Sequence, residues 1–284
     1  MERVRFSIVV VCLNAGERLV NTINSIRMQT CKNYEIIVKD GMSEDGSLER
    51  LPQEENIRIY REKDRGIYDA MNQAVSRVTG ETVYFLNCGD VFYDETVLQC
   101  VEEQMERYLR EKSGDLGNSI FYGDIFEHQS GERVSSNPQM DAFGCYRNVP
   151  CHQACFYGTE LVQKKPFEEK YRVRADYDHF LWCFFEGKAK TLYMPVLIAD
   201  YEGGGFSESG ENRKRSREEH REITAKYMDK GQLFRYRLYL FATLSAFRTW
   251  LAHNRVTAHL YQKVKALVYR KRGKTADGQA GEEN

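Results

Sequence analysis

The sequence predicts an α/β protein: a mixed, mainly parallel sheet flanked by helices, followed by a helical C-terminal extension. Three observations point there. Apolar runs of strand length alternate with helix-spaced stripes through the first 90 residues, the rhythm of parallel strands joined by right-handed crossovers. Three of those runs are soon followed by an aspartate: Asp40 after YEIIV, Asp64 after IRIY and Asp90 after TVYFLN. Further on, Leu233, Tyr236, Leu240, Leu244, Phe247 and Leu251 recur at helical spacing among basic residues,.

Strands are predicted near Phe6–Leu13, Tyr34–Val38, Ile57–Tyr60 and Thr82–Leu86. Between them Leu19, Ile23 and Ile26 form one helical stripe, and Ile67, Met71, Ala74 or Val75, and Val78 form another that Gly80 ends,. After Asp94 a polar helix runs to about Lys112, followed by a Gly-rich turn and a strand, SIFYGDIF. Short strands at Gln153–Tyr157 and Thr191–Met194, with a helix from Asp176 to Glu186, are expected to complete the same sheet. The stretch YEGGGFSESGENRKRS reads as a loop leading into the helical tail. In an open sheet of this kind ligands bind beyond the carboxyl ends of the strands, so the three aspartates are expected to converge on one crevice. A crevice lined with carboxylates suits a phosphate ligand that arrives with a divalent cation.

The 284 residues, 42% hydrophobic and 29% charged, exclude disordered and fibrous classes and leave ample length for a core. The opening MERVRFSIVVVCLNAGE imitates a signal peptide, but its apolar run is short and lacks a small-x-small cleavage site, so it reads as the first strand,. No apolar run approaches the roughly 18 residues of a membrane span. The eight cysteines contain no CxxC pair, and free thiols in apolar stretches fit a reducing cytoplasm. Cys151, His152 and Cys155 lack the second ligand pair of a zinc site,. Residues 213–274 hold 17 Lys and Arg against 4 Asp and Glu, leaving a charge of −14 to the rest of the chain.

The motifs FSIVVVCLN, IVKDGMSEDGS, DRGIYDAMNQAV and ETVYFLNCGD, continued by NVPCHQACFY, VRADYDHFLW and YEGGGFS, resemble in order and spacing those of family-2 glycosyltransferases. The resemblance covers roughly residues 5–210 and says nothing of the tail. It implies the GT-A fold and a non-processive, inverting enzyme of the type found in bacterial surface-polysaccharide biosynthesis. Such an enzyme is cytoplasmic and takes a sugar from a nucleotide diphosphate donor, often UDP-linked. Residues 1–210 are then the catalytic domain, 211–272 a basic amphipathic helical extension, and 273–284 a frayed tail. No QxxRW-like element marks a processive polymerase, and no nucleic acid is expected as a partner.

On this reading Asn14, closing the first motif, and Asp40 belong to the nucleotide site. Asp40 would accept from a nucleobase imide N–H, at a position the resemblance assigns to uracil; its competing role is to hold the turn before Gly41 and Ser43. Arg65 can fork onto donor phosphates, and Asp64 can serve the site, cap a helix, or both. Asn72 matches a recurring asparagine of the family and stands between a site role and a structural hydrogen bond. NCGD is the counterpart of the DxD element, with Asp90 as its one remaining carboxylate for Mg²⁺ or Mn²⁺,. Asp176 matches the catalytic base, with Asp178 as its alternate. His152 is a candidate contact for acceptor, phosphate or metal, and Arg213 with Lys214 a candidate phosphate clamp beside the mobile GGG loop.

Two rivals stand beside this reading. A nucleotidyltransferase would carry a Gly-rich, Arg-containing loop where this chain has CLNAGERLV. A catalytically degenerate sugar-nucleotide-binding or scaffold protein would explain the reduced NCGD. The tail, with Arg235, Arg237, Arg248, Arg255, Lys263, Lys265 and the basic 270–272 run around its apolar stripe, fits an anionic membrane interface, where a lipid-linked or glycan acceptor could be met. The alternative is that it packs on the catalytic domain or on a second subunit as a homodimer element.

Overall fold

The computed structural model describes residues 4–112, 114–203, 210–243 and 263–264. The GGG loop after Gly203 up to residue 209, the tail stripe from Leu244 to Leu260, Leu267, and the basic residues Arg248, Arg255, Lys265 and 270–272 lie outside them.

The predicted alternation is present: β1 (Phe6–Cys12), α1 (Glu17–Arg27), β2 (Tyr34–Asp40), β3 (Ile57–Arg61), α2 (Ile67–Val75) and β4 (Thr82–Phe85). Beyond these come β5 (Val91–Phe92), α3 (Val97–Lys112), β6 (Ser119–Glu127), β7 (Glu132–Val134), α4 (Ala142–Arg147), β8 (Cys155–Gly158), α5 (Thr159–Lys164), α6 (Ala175–Phe185), β9 (Lys190–Tyr201), α7 (Gly210–Tyr227) and α8 (Lys230–Ala242). Two expectations change. The strand placed at 191–194 runs from Lys190 to Tyr201 because β6 pairs along its whole length. The segment ENRKRS, read as loop, is helical from the start of α7.

The strands form one sheet in the order β3-β2-β1-β4-β8-β6-β9-β5, with β7 on the side of β6. β1, β2, β3 and β4 are parallel to one another, and β6 is parallel to β9. β8 lies between β4 and β6 and runs antiparallel to both. The sheet therefore aims the carboxyl ends of β1–β4, β6 and β9, and the amino end of β8, at one edge.

Strand periodicity divides β1 between two cores. Val9 and Val11 pack with Ala70, Met71, Phe180 and Ile223 from α2, α6 and α7; Phe6, Ile8 and Val10 pack with Leu19, Ile23, Val101 and Met105 from α1 and α3. Helices on both faces explain why β1, β2 and β4 are unbroken buried runs rather than alternating ones,.

The first helices of the tail are built into this body. Ile223 and Met228 enter the core beside α6, and the buried Asp178 accepts from Lys226 Nζ at 2.9 Å and Tyr227 OH at 3.1 Å. Glu219 of α7 accepts the backbone N–H groups of Arg172, Val173 and Arg174, ordering the approach to α6. The described part of the expected membrane stripe, Leu233, Tyr236 and Leu240, packs against the core rather than facing out. Phe234, Leu238, Tyr239 and Phe241 are the large apolar residues that α8 leaves exposed. Among the described residues no helix is long and apolar enough to cross a membrane.

Candidate active site

A cleft of about 710 Å³ opens at the carboxyl edge of the sheet, within the range of small-molecule sites,. It begins where β1 ends between β2 and β4, the point at which strand order reverses and such sheets bind ligands,. Asn14, Asn87, Asp90, His152, Asp176 and Glu202 are among its lining residues.

Asn14 sits at φ 48°, a left-handed conformation that asparagine tolerates,. Its N–H donates to Ser43 Oγ at 2.7 Å and its Oδ1 accepts from Glu44 N at 2.9 Å, tying the end of β1 to the turn after β2. In that turn Asp40 is fully buried. Its carboxylate accepts the N–H groups of Met42 and Ser43 at 2.9 and 2.8 Å and the Ser43 hydroxyl. The competing turn-holding role is therefore the one Asp40 visibly fills, and it does not line the cleft.

Asp64 is likewise engaged. It accepts from Gly66 N at 3.1 Å and from the buried Lys39 Nζ at 3.1 Å, while Lys39 also donates to the carbonyls of Asp40 and Glu62. Lys39 escaped the sequence reading, although a lysine inside an apolar strand was the available signal. Arg65 points away from the cleft to Asp69 and Glu169, at 3.2 and 2.9 Å. Asn72 uses both ends of its amide on one residue, donating to Phe167 O at 2.9 Å and accepting from Phe167 N at 2.8 Å. These bonds fill the structural role, and Asn72 is not among the residues lining the cleft.

The other wall faces the cavity. In the NCGD turn Gly89 has φ 105°, and a Cβ there would collide with Arg18 and Glu202,. Asp90 accepts from Glu202 N at 2.9 Å and from the Gln153 amide. Burial pushes its carboxyl up, and the Glu202 N–H, the Gln153 amide and His152 offset this only in part. Asn87 Oδ1 is buried without a hydrogen-bond partner, so Asp90 and Asn87 offer a cation two hard oxygens from one turn. Among the described residues no three His, Cys, Asp or Glu are grouped to hold a metal ion; the remaining ligands would have to be phosphate oxygens and water. Gln153 and Glu202 were not singled out from the sequence, though each lies inside a motif that was, NVPCHQACFY and YEGGGFS.

Asp176 lies in the first turn of α6 and receives Tyr177 N at 2.9 Å and Tyr68 OH at 3.1 Å on Oδ1. His152 Nδ1 stands 3.4 Å from its Oδ2, and Asn87 Nδ2 stands 3.1 Å from His152 Nε2. The consistent assignment has Asn87 donating to Nε2 and Nδ1–H facing Asp176. Burial alone would raise the Asp176 carboxyl, but His152, the Tyr177 N–H and the Tyr68 hydroxyl outweigh it and hold it below its ordinary value. Asp176 is therefore ionised at neutral pH and still in contact with the cavity. Asp178, two residues on, is fully buried, accepts from Lys226 and Tyr227, and is not among the residues lining the cleft. Arg213 is exposed on the first turn of α7 and is not among the residues lining the cleft.

The Glycosyl transferase family 2 model matches residues 7–136. A PGL/p-HBAD biosynthesis glycosyltransferase of Mycobacterium bovis is 34% identical over 209 residues, which is 71% of this chain and 78% of the relative. Among solved structures, residues 1–349 of Staphylococcus aureus TarS with UDP-GlcNAc superpose with a TM-score of 0.59 at 16% identity, covering 87% of this chain and 78% of that one. In another crystal structure of the same TarS fragment the chain spans 60% of its length. The mannosyltransferase PcManGT of Pyrobaculum calidifontis, with GDP-Man and Mn²⁺, gives a TM-score of 0.57 at 16% identity over 96% of this chain and 84% of that one. At these identities the structural likenesses show the GT-A fold of the sheet and its flanking helices.

Proposed function

The chain belongs to glycosyl transferase family 2, and on that premise we propose that it transfers a sugar, with inversion, from a UDP-linked donor to a hydroxyl of a glycan or lipid-linked acceptor. The observation that carries the proposal is the ionised Asp176 at the cleft wall, braced by His152 and Tyr68. Asp176 takes the proton of the acceptor hydroxyl as that oxygen attacks the anomeric carbon, and the nucleotide diphosphate leaves with the bonding electrons. Asp90 and Asn87 would hold a divalent cation, Mg²⁺ or Mn²⁺, which when bound would neutralise charge on the leaving diphosphate. The Mn²⁺ in the PcManGT complex and the UDP-GlcNAc in the TarS complex support this assignment. The names of two relatives, a PGL/p-HBAD biosynthesis glycosyltransferase and the amylovoran biosynthesis glycosyltransferase AmsB of Erwinia amylovora, support a place in surface-polysaccharide assembly.

Attachment to the cytoplasmic face of an anionic membrane belongs to the same proposal. It now rests on the exposed Phe234, Leu238 and Phe241 of α8,. Co-sedimentation with anionic liposomes should fall when these three are changed to serine.

The decisive experiment incubates the protein with a panel of nucleotide sugars and Mn²⁺ and follows the anomeric configuration of the product by NMR. Inverted product from wild type and none from Asp176→Asn is the expected result. Donor binding without turnover, whatever acceptor is offered, would favour the degenerate binding protein.

A further inference from the structure

A second cavity, of about 650 Å³, lies beside the cleft and is walled by Arg147, Arg174, Arg217, His220, Arg221 and Arg237, with no carboxylate in its lining. Five guanidinium groups in one concavity repel one another unless an anion is present. Three acids of α7 are engaged elsewhere. Glu219 is buried against the backbone before α6, Glu222 pairs with Lys170, and Glu218 lies near Lys214. Among the described residues none of the five arginines forms an ion pair. Arg174 Nε donates to Ser216 Oγ at 2.7 Å, which fixes it in place without neutralising it.

The cavity adjoins the cleft: Arg147 and Arg174 line both. Arg174 stands two residues before Asp176, at the cap of the helix whose first turn carries the proposed base. We propose that this cavity binds a phosphate or diphosphate group carried by the acceptor, which guanidinium forks recognise through paired hydrogen bonds. The inference rests on the transferase reading above and adds the chemical class of its acceptor. On α8, Phe234 and Phe241 are exposed at positions three before and four after Arg237, on its own helical face,. Exposed apolar side chains on the helix that carries Arg237 suit a phosphate that bears an isoprenoid chain.

The experiment uses the full chain with UDP and Mg²⁺ in excess, titrated calorimetrically with inorganic pyrophosphate and then with farnesyl diphosphate. Pyrophosphate should bind while UDP remains bound. In the Arg217→Gln/Arg221→Gln double variant its affinity should fall by about tenfold or more, with UDP affinity unchanged. His220, held low first by burial and then by Arg174 and Arg221, should titrate at higher pH once the anion is bound, as seen by imidazole NMR. Tighter binding of farnesyl diphosphate than of pyrophosphate identifies a lipid-linked source; equal binding identifies a water-soluble phosphorylated acceptor. Pyrophosphate that only competes with UDP, or a double variant of wild-type affinity, overturns the proposal. If wild type fails to bind UDP yet binds pyrophosphate, the donor reading falls and the anion site stands.

Discussion

The two walls of the cleft carry the same residue types and use them in opposite ways. After β2 and β3, Asp40 and Asp64 are turned inward, consumed by turn N–H groups and by the buried Lys39. After β4 and at the start of α6, Asp90 and Asp176 also accept backbone hydrogen bonds, yet both line the cavity. The difference is in the local supply of donors. A turn that offers several unpaired N–H groups to one carboxylate captures it, whereas a carboxylate held on one side by a helix or loop keeps a face for a ligand. Position after a strand therefore locates a carboxylate at the ligand edge without saying that it touches the ligand.

Four substitutions or titrations can break this contrast, beginning with the largest effect. Asp176→Asn should lower turnover by about 100-fold or more with donor affinity kept, since only the transition state uses the base; near-normal turnover would remove Asp176 from the mechanism. Asp40→Ala should cost about 2–3 kcal/mol of stability, because its three donors lose their acceptor in a buried turn. Chemical denaturation measures this, and full stability with lost UDP binding would return Asp40 to the nucleobase. Asp90→Ala should weaken Mn²⁺-dependent UDP binding by about tenfold, the size of one charge-assisted contact. Calorimetry in which wild-type binding ignores a chelator would take the metal away from Asp90.

The smallest effect is a titration that belongs to the second wall. His179, on the helix that presents Asp176, is held neutral by burial, its pKa lowered from 6.5 to about 3. As pH falls below about 6.5 the unfolded chain takes up the proton first, so stability is full above that pH and is lost below it. The expected loss is about 0.8 kcal/mol between pH 8 and pH 6, and His179→Gln should flatten that slope. A wild-type stability that is level across this range would mean that the burial is relieved by local opening.

Much of the ligand edge was legible in the chain. Apolar runs of strand length and helix-spaced stripes located β1 to β4 and their helices, because burial on both faces of the sheet leaves continuous apolar runs in β1, β2 and β4,. Asp90 and Asp176 were legible from motif context. The roles of Asp40, Arg65, Asn72 and Asp178 were not, since each depends on a partner 25 or more residues away or on a turn whose shape the sequence does not state. Asn72 answers to Phe167, and Asp178 to Lys226 and Tyr227.

His152 shows where the division lies. Its motif is plain in the sequence, but a strand carries no mark of whether it will pair parallel or antiparallel. Only the insertion of β8 antiparallel between β4 and β6 brings that strand's amino end, and His152 with it, to the edge where the other strands end. The tail shows the same limit. Composition alone establishes its basic charge and helical spacing. Which apolar residues face the core and which face out was decided by the packing of α7 and α8 against α6 and the body. A rotation of about 100°, one residue's step, carries a core-facing side chain off the core face, and nothing within the helix fixes that rotation until its neighbours are in place.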